Sequence, residues 1–148
     1  MPDLYFTYEK QSYSKRTKNS LILNIAISII LGLIVTASSD IKWGIGITLL
    51  VFFIQYFKSS RRNKSFINNI SFNKGLITIE YFEGETKKQI SGQPKEFEFK
   101  KQYAFTKIKT PYLAVYKNNE LKIKQFEIGE WIENRMDEVV AICNGKNS

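Results

Sequence analysis

The chain has 148 residues and a net charge of +8, from 22 Lys and Arg against 14 Asp and Glu, with one cysteine and no histidine. A single cysteine excludes an internal disulfide framework, and the lack of histidine excludes the usual general base at neutral pH and the commonest metal ligand. Residues 65–148 hold 13 basic and 11 acidic side chains, so most of the positive surplus flanks one apolar region earlier in the chain. That location favours a membrane surface over nucleic acid as the partner of the basic residues.

Residues 21–57 are predicted to form a transmembrane hairpin of two helices. The runs 21–37 and 41–57 are nearly free of charge, and each would span roughly 26 Å as a helix. Neither run carries polar residues at the spacing of a soluble core helix. The connection 38–42, SSDIK, is too short for anything except a tight reversal, so we expect antiparallel neighbouring helices.

The flanking charges predict the orientation of this hairpin. Only Lys42 lies near the connection, whereas the N-terminal segment 1–20 and the juxtamembrane segment 58–65 supply Lys15, Arg16, Lys18, Lys58, Arg61, Arg62 and Lys64. The positive-inside rule then places both termini in the cytoplasm, at the bacterial cytoplasmic (inner) membrane. We expect these seven side chains to contact anionic lipid of the bilayer.

A second interpretation of the first apolar run stays open. A basic start, an apolar stretch and VTA before SS also resemble a signal peptide that is cleaved after Ala37. The run is long for such a peptide. The expectation is therefore that it is retained as a membrane helix.

Small and polar residues recur every four positions in the first apolar run, at Asn24, Ser28, Gly32 and Thr36. Gly44 and Thr48 in the second run offer a complementary face. Small residues let membrane helices approach closely, and polar ones find hydrogen-bond partners across the interface. The stripe predicts packing inside the hairpin or, alternatively, contact with a partner's transmembrane helix.

Residues 66–148 are predicted to form a cytoplasmic domain of six or seven antiparallel strands. ISFNKGLITIEYF indicates a hairpin that turns at Asn73-Lys74-Gly75, and YLAVYKNNELKIK indicates another at Asn118-Asn119. EFEFK alternates apolar and charged residues, TKKQI and YAFTKI are weaker strands, and SGQP (91–94) is a predicted loop.

The last predicted element is a helix that closes the open face of the sheet. Its apolar stripe follows the period of an α-helix and consists of Ile128, Trp131, Ile132, Met136, Val139, Val140 and Cys143. Glu130 and Glu133 suit its first turn, and Asn144-Gly145 suits its end. Cys143 is therefore expected to be a buried structural thiol.

This order of elements resembles the YcxB-like family of small bacterial membrane proteins. LYFTYEKQSY looks like that family's leading strand-forming stretch, and FTKIKTPYLAVYKNNELKIKQF looks like its run of closing strands. The resemblance implies a membrane α-hairpin plus an α+β domain, in which an antiparallel pleckstrin-homology-like β-sheet or barrel is capped by one C-terminal helix. It also implies that residues 4–8 return to pair with the cytoplasmic sheet. It implies no chemistry, since the family has no agreed activity.

The candidate binding surface is a row of aromatic side chains. Tyr103, Tyr112 and Tyr116 are expected on the outer face of the sheet, where exposed aromatics mark protein-binding surfaces. The acidic group Glu80, Glu83 and Glu85 lies beside Lys87 and Lys88, which indicates a solvated, charge-balanced turn. We predict no catalytic, cofactor-binding or metal-binding residues.

The predicted function is therefore that of a membrane-anchored, non-enzymatic protein-binding scaffold or regulatory module. Its partners would be the lipid bilayer and an unidentified membrane or cytoplasmic protein, with self-association left open and no nucleic acid. The alternative is an immunity protein that neutralises a membrane-targeted toxin. A small membrane enzyme would need a cluster of titratable groups at the interface, and the sequence indicates none.

Overall fold

The computed structural model describes residues 4–7, 12–38, 40–104 and 109–145, with only the backbone of 4–7, 19 and 20. The chain forms two compact units, one of Ser12–Asn63 and one of Met1–Gln11 together with Lys64–Ser148. Tyr8 of the predicted leading strand and most of the predicted strand YAFTKI lie outside the described residues.

The first unit consists of two helices, α1 (Tyr13–Ser38) and α2 (Ile41–Arg62). At ~1.5 Å per residue they are about 39 Å and 33 Å long, longer than the apolar runs alone predict. The predicted juxtamembrane segment 58–65 is helical as far as Arg62. The connection is shorter than 38–42, because Asp40 already caps α2 by accepting a hydrogen bond from the backbone N–H of Lys42 at 3.2 Å.

Four antiparallel strands form the first sheet of the second unit, in the order β1-β2-β3-β4. They are β1 (Leu4–Thr7), β2 (Ser65–Asn73), β3 (Leu76–Glu83) and β4 (Thr86–Gly92). The predicted return of the leading stretch is confirmed for residues 4–7, since β1 pairs with β2. The predicted turn between β2 and β3 is also confirmed, with φ of 50° at Lys74 and 79° at Gly75.

The second sheet has the order β5-β6-β7 and is also antiparallel. A short 3₁₀ helix (Pro94–Glu96) leads into β5 (Phe97–Ala104), which is followed by β6 (Thr110–Lys117) and β7 (Glu120–Phe126). The predicted Asn118-Asn119 turn is confirmed, with φ of 52° and 62°. The predicted loop 91–94 was partly wrong, because β4 extends through Ser91 and Gly92.

The C-terminal helix, α3 (Glu133–Gly145), begins later than its apolar stripe predicts. Gly129 has a φ of 61°, and Ile128 and Trp131 form an isolated β-bridge before the helix starts. Ile132 is accordingly 55% exposed. The rest of the stripe is directed into the core as predicted: Met136, Val139 and Cys143 are fully buried.

One core lies between the two sheets and α3. It is built from apolar residues of β2, β3, β5, β6 and β7, most of them at alternate positions, together with Trp131 and the helix: Phe66, Ile67, Ile70, Phe72, Ile77, Ile79, Phe82, Phe97, Phe99, Leu113, Val115, Ile123, Trp131, Met136, Val139 and Cys143. The period-two alternation of these strands is the pattern of sheets with one face in the core and one in solvent.

Next to a bulge in β2, the backbone of Ile67 is bound by one side chain from β7 and one from the segment before α3. The register of β2 shifts between Ile67, which pairs with Tyr81, and Asn69, which pairs with Glu80, so Asn68 is the extra residue of the bulge. Gln125 Oε1 accepts from Ile67 N at 2.7 Å, and Trp131 Nε1 donates to Ile67 O at 3.0 Å. Both side chains are fully buried, so they satisfy backbone groups that would otherwise be stranded in the core.

The predicted fold class is thus confirmed in its coarser part: two membrane-length helices, antiparallel sheets and one C-terminal helix. The strands of the described residues form two separate sheets and do not close into a barrel. The described residues therefore do not form the predicted barrel. The physical reason on one side is that the side chains of Gln125 and Trp131, rather than a paired strand, bind the backbone of Ile67 in β2.

Candidate functional site

The surface of the helical unit is apolar on most sides. Both helices are long and apolar enough to cross a membrane, and only 12% of the most apolar stretch of α1 and 6% of that of α2 is buried. Its exposed large side chains include Ile22, Leu23, Ile30, Leu33, Ile34, Trp43, Ile45, Leu50, Phe53 and Phe57. A helix from the core of a water-soluble domain would instead hide its apolar side. We therefore take this surface as the candidate lipid-facing surface.

Two glycine–threonine contacts join α1 to α2. A methyl group built on Gly32 would lie 1.7 Å from Thr48 Oγ1, and one built on Gly44 would lie 1.9 Å from Thr36 Oγ1. Each threonine hydroxyl donates to the glycine carbonyl four residues earlier in its own helix, at 2.9 Å for Thr36 and 2.8 Å for Thr48. The helices therefore come together where glycine leaves room, with both hydroxyls satisfied.

The remaining residues of the predicted stripe lie in α1, on the N-terminal side of this contact. Ser28 is buried and donates to the carbonyl of Asn24 at 2.8 Å, and Asn24 itself is half-buried. The sequence left open whether the stripe packs inside the hairpin or against a partner's helix. In the structure, Ser28, Gly32 and Thr36 lie inside the hairpin. The outside of the hairpin is left to isoleucine, leucine and aromatic side chains.

Hydrogen bonds connect the beginning of α1 to the end of α2. We call the residues that form them the polar clasp: Tyr13, Arg16, Ser59, Ser60 and Asn63. Arg16 Nη2 donates to the carbonyl of Asn63 at 3.2 Å, and Asn63 Nδ2 donates to the carbonyl of Arg16 at 3.3 Å. Asn63 also donates to Ser59 Oγ at 3.2 Å, and the hydroxyls of Tyr13 and Ser60 are 2.7 Å apart. A cation at the C-terminal end of α2 is favourable, because the last carbonyls of a helix carry partial negative charge.

The predicted lipid-contacting residues therefore divide into two groups. Arg16 is only 4% exposed and belongs to the clasp, which corrects its prediction as a lipid contact. The other six are exposed, and of these Lys64 forms an ion pair with Glu83 at 2.7 Å: Lys15, Lys18, Lys58, Arg61, Arg62 and Lys64. Charge counting cannot separate the two groups, since it ignores the direction of each side chain.

Tyr112 and Tyr116 lie together on the outer face of the second sheet. The Tyr112 hydroxyl donates to Gln102 Oε1 at 2.7 Å, and Gln102 Nε2 donates to the Tyr116 hydroxyl at 3.2 Å. Burial raises the pKa of Tyr112, and the neighbouring Tyr116 adds to the shift. The tyrosines are both half-buried, and the amide between them fixes their positions.

Ala114 lies at the centre of this face and is fully buried, although it points away from the core. Its register partners are Lys100 on β5 and Lys124 on β7, and the two tyrosines precede and follow it by two residues. The Lys100 ammonium lies 5.5 Å from the centre of the Tyr116 ring, and that of Lys124 lies 5.4 Å from the Tyr112 ring. We call this arrangement, with Gln102, the Ala114 face; it combines cation–π pairs with a small central residue.

Tyr103 is placed elsewhere, at the contact between β5 and α3. Its hydroxyl donates to Glu133 Oε1 at 2.8 Å, and Lys101 lies 3.1 Å from that oxygen and 2.6 Å from Asp137. The Tyr103 hydrogen bond and Lys101 lower the pKa of Glu133, and the bond to Asp137 is the main cause that raises the pKa of Lys101. Tyr103 thus holds α3 on the sheet. It is close to the Ala114 face only at one depression, which is also lined by Gln102, Tyr112, Lys124 and Phe126.

The acidic group of β3 forms ion pairs, as its sequence indicates. Glu80 pairs with Lys87 at 3.1 Å, and Glu83 is bound by both Lys64 and Lys88. The hydrogen bonds from these two lysines lower the pKa of Glu83 from 4.5 to about 2. In the parts of the chain that the structure describes, no three His, Cys, Asp or Glu side chains come together in a way that could hold a metal ion.

No protein-family model matches the chain, and no curated protein is similar to it. The geometry of the two units is therefore the basis for assigning a function.

Sequence reasoning missed the glutamines that organise both faces of the second sheet. Gln102 connects the two tyrosines outside, and Gln125 binds Ile67 inside. Gln125 could have been predicted to face the core, because it lies two residues after the inward-facing Ile123 in β7. Gln102 could not, since its role depends on the register that pairs it with Tyr112.

Proposed function

We propose that the chain is a two-pass protein of the bacterial cytoplasmic (inner) membrane that holds a non-enzymatic protein-binding domain in the cytoplasm. The observation that carries the proposal is a pair of exposed apolar helices placed, in chain order, between two paired strands. β1 precedes the helices and β2 follows them, yet both belong to one sheet. A chain that leaves a sheet through one strand and returns through its neighbour crosses a bilayer an even number of times.

The flanking charges support the side assigned to the sheet domain. The exposed basic residues lie at the ends of the helical unit that lead to β1 and β2, whereas Lys42 alone lies near the connection. Basic flanks remain on the cytoplasmic side of bacterial membranes, where anionic lipid attracts them by about 1 kcal/mol per residue. Trp43 and Tyr56, on α2, suit the two interfaces.

The order of elements also supports membership in the YcxB-like family and a pleckstrin-homology-like plan for the second unit. A leading strand, two apolar helices, two antiparallel sheets and a closing helix follow one another as that resemblance implies. The protein-binding surface of this domain is the Ala114 face, because it combines half-buried tyrosines with exposed lysines on a rigid sheet.

Labelling of single cysteines tests the topology. Asp40→Cys and Asn119→Cys, each in a Cys143→Ser background, are expressed in a Gram-negative host and treated with a thiol reagent that does not cross the inner membrane. We expect labelling of Asp40→Cys in intact cells and of Asn119→Cys only after lysis. Labelling of both or neither in intact cells would overturn the two-pass topology.

Photo-crosslinking in the native cell tests the binding function. Crosslinking amino acids replace Tyr116 on the sheet and Leu33 on the helical surface, and Asn119 serves as the exposed control position. A partner that crosslinks during ordinary growth at Tyr116 or Leu33, but not at Asn119, supports the scaffold. A partner that appears only when a membrane-targeted toxin is supplied would replace it with the immunity function.

A further inference from the structure

The outer edge of β4 presents backbone groups that strand pairing does not use. β4 is the last strand of its sheet and pairs only with β3. A two-residue turn at 84–85 makes Thr86 a hydrogen-bonded partner of β3, and this role then alternates along the strand. The N–H and C=O groups of Lys87, Gln89 and Ser91 therefore point away from β3.

Two contacts support this direction of the backbone groups. Thr78 Oγ1 and Ser91 Oγ are 3.1 Å apart, as expected for a pair that exchanges no backbone hydrogen bonds and whose side chains therefore lie close together. Lys117 Nζ donates to the carbonyl of Ser91 at 2.5 Å, which requires that carbonyl to lie on the open side of β4. The other outward-facing backbone groups of β4 have no partner in the described part of the chain, and residues 86–89 are exposed.

Elsewhere in this unit, side chains bind backbone groups that strand pairing leaves over. Asn144 of α3 accepts from the N–H of Phe99 in β5 at 3.2 Å and donates to its carbonyl at 2.9 Å. Gln125 and Trp131 do the same for Ile67 in β2. The edge of β4 has no such cover between residues 86 and 89, and an open strand edge is a template for another extended chain.

The two lysines of β4 do not leave this edge strongly charged. Lysine on an edge strand commonly keeps other strands away by its charge. Here Lys87 pairs with Glu80 at 3.1 Å and Lys88 pairs with Glu83, and both carboxylates belong to β3. Each lysine is therefore neutralised within its own sheet.

A second β4 fits this edge in an antiparallel register centred on Gln89. The outward-facing residues of the two copies then pair with one another, Gln89 with Gln89 and Lys87 with Ser91. Lys88 of each copy lies opposite Ile90 of the other. No lysine is opposite a lysine in this register, and like charges directly opposite one another would destabilise the pairing.

The neighbouring registers are less favourable. A register centred on Lys88 would place the two copies of that lysine opposite each other. A register centred on Ile90 would pair Gln89 with Ser91, and its central hydrogen bonds would need the Ser91 carbonyl that Lys117 already occupies. The central bonds of the Gln89 register use only groups that are open in the structure.

We infer that β4 pairs with β4 of a second copy of this chain, antiparallel and centred on Gln89, so that two four-stranded sheets join edge to edge. The pairing uses backbone groups and needs neither a groove nor an apolar patch. It is separate from the Ala114 face, which lies on the other sheet, and it does not depend on what that face binds.

Disulfide formation tests the register. Gln89→Cys and Lys87→Cys are made in the full chain, each in a Cys143→Ser background, and isolated membranes are oxidised with copper phenanthroline. In the proposed pairing the two Cα atoms at position 89 lie about 5.5 Å apart, which a disulfide can span. Those at position 87 are offset by four residues, or at least roughly 13 Å.

Gln89→Cys should therefore give a covalent dimer, and Lys87→Cys should give less than about a tenth as much. Cells that produce Lys87→Cys and Ser91→Cys chains together should again give a dimer, because these positions lie opposite each other. No dimer with Gln89→Cys, or equal amounts from Gln89→Cys and Lys87→Cys, would overturn the inference.

Exchange of charge at the centre separates pairing from folding. Gln89→Glu and Gln89→Lys each place like charges opposite one another when identical copies pair, whereas a mixture places opposite charges together. Resonance energy transfer between labelled chains in phosphatidylcholine vesicles should show each variant associating with itself roughly fivefold more weakly than the wild type, and the mixture at least as strongly as the wild type. A misfolded variant would not recover on mixing. Unchanged self-association, or no recovery in the mixture, contradicts the inference.

A photo-crosslinking amino acid at Gln89 distinguishes a second copy from other occupants of the edge. In the native cell membrane, a crosslinked dimer supports the inference. A different protein as the only product would show that another chain's strand fills the edge, and the inference would be wrong. Either result leaves the protein-binding function of the Ala114 face intact, since crosslinking at Tyr116 reports on the other sheet.

Discussion

Gly32 of α1 lies so close to Thr48 of α2 that a methyl group on the glycine would come within 1.7 Å of the threonine hydroxyl oxygen. The reciprocal contact of Gly44 with Thr36 makes the interface nearly symmetric. Gly32→Leu should therefore separate the helices and lower the free energy of unfolding by about 2 kcal/mol or more. Thermal and SDS unfolding in detergent micelles, followed by circular dichroism, measures this.

Gly46 provides the matched control for that substitution. It lies in the same helix as Gly44, but a methyl group built on it meets nothing within 4 Å. Gly46→Leu should leave the hairpin as stable as the wild type or slightly more stable, since leucine favours the helix over glycine. Equal destabilisation by both substitutions would show that helix propensity or micelle insertion, rather than close contact, is responsible.

Loss of the hydrogen bonds to Ile67 should destabilise the sheet domain. Trp131→Phe keeps the aromatic ring but removes the indole N–H, and Gln125→Leu removes the acceptor of the Ile67 N–H. Each change leaves a buried backbone group without its partner, which costs about 1–3 kcal/mol. Chemical denaturation of the full chain, followed by near-ultraviolet circular dichroism, compares both with Gln89→Leu on the exposed face of β4. A loss no greater than that of Gln89→Leu would refute the role of these bonds.

The clasp at the ends of the helical unit predicts that neighbouring basic residues behave differently. Arg16→Met keeps the apolar stem but removes the bond to the Asn63 carbonyl, so we expect the free energy of unfolding to fall by about 1–3 kcal/mol. Lys15→Met, at an exposed position, should change it by less than about 0.5 kcal/mol. Thermal unfolding in micelles checks both, and similar effects of the two variants would contradict the clasp.

The ion pairs of Glu83 predict an acid-sensitive contribution to stability. Because Lys64 and Lys88 lower the pKa of Glu83 to about 2 from 4.5, its contribution is fully present above pH 4.5 and is lost as the pH falls through about 2. Glu83→Gln should therefore lose less stability than the wild type between pH 5 and 2, and added salt should reduce the difference. Acid unfolding curves, with Glu127→Gln as the control, measure this, and parallel curves would exclude it.

Local patterns predicted the elements that depend on local chemistry. The turns at Lys74-Gly75 and Asn118-Asn119 follow from residues that tolerate positive φ, and the strands follow from apolar alternation. The start of α3 was missed because Gly129 and the Ile128–Trp131 bridge interrupt a stripe that otherwise has helical spacing. Periodicity alone records which residues share a side, not whether the backbone between them is helical.

Features that depend on pairing between distant parts of the chain could not be predicted from the sequence. The spacing of Gly32 and Thr36 predicted a small-residue stripe, but only the structure matches these residues with Thr48 and Gly44. Likewise, the tyrosines of β6 were predicted on one face, whereas Lys100 and Lys124 lie beside Ala114 through the register of three strands. Tyr103 was grouped with them by residue type and lies with α3 instead.

The pairing of β1 with β2 has a consequence for the order of events during synthesis. Thr7 pairs with Asn69, so about 60 residues, including both apolar helices, must leave the ribosome before the first strand has its neighbour. At 5–20 residues per second, this delay lasts roughly 3–12 s. The start of the chain is therefore made first but paired late, after both helices have been synthesised, and a nascent chain stalled before β2 would leave β1 open to proteases.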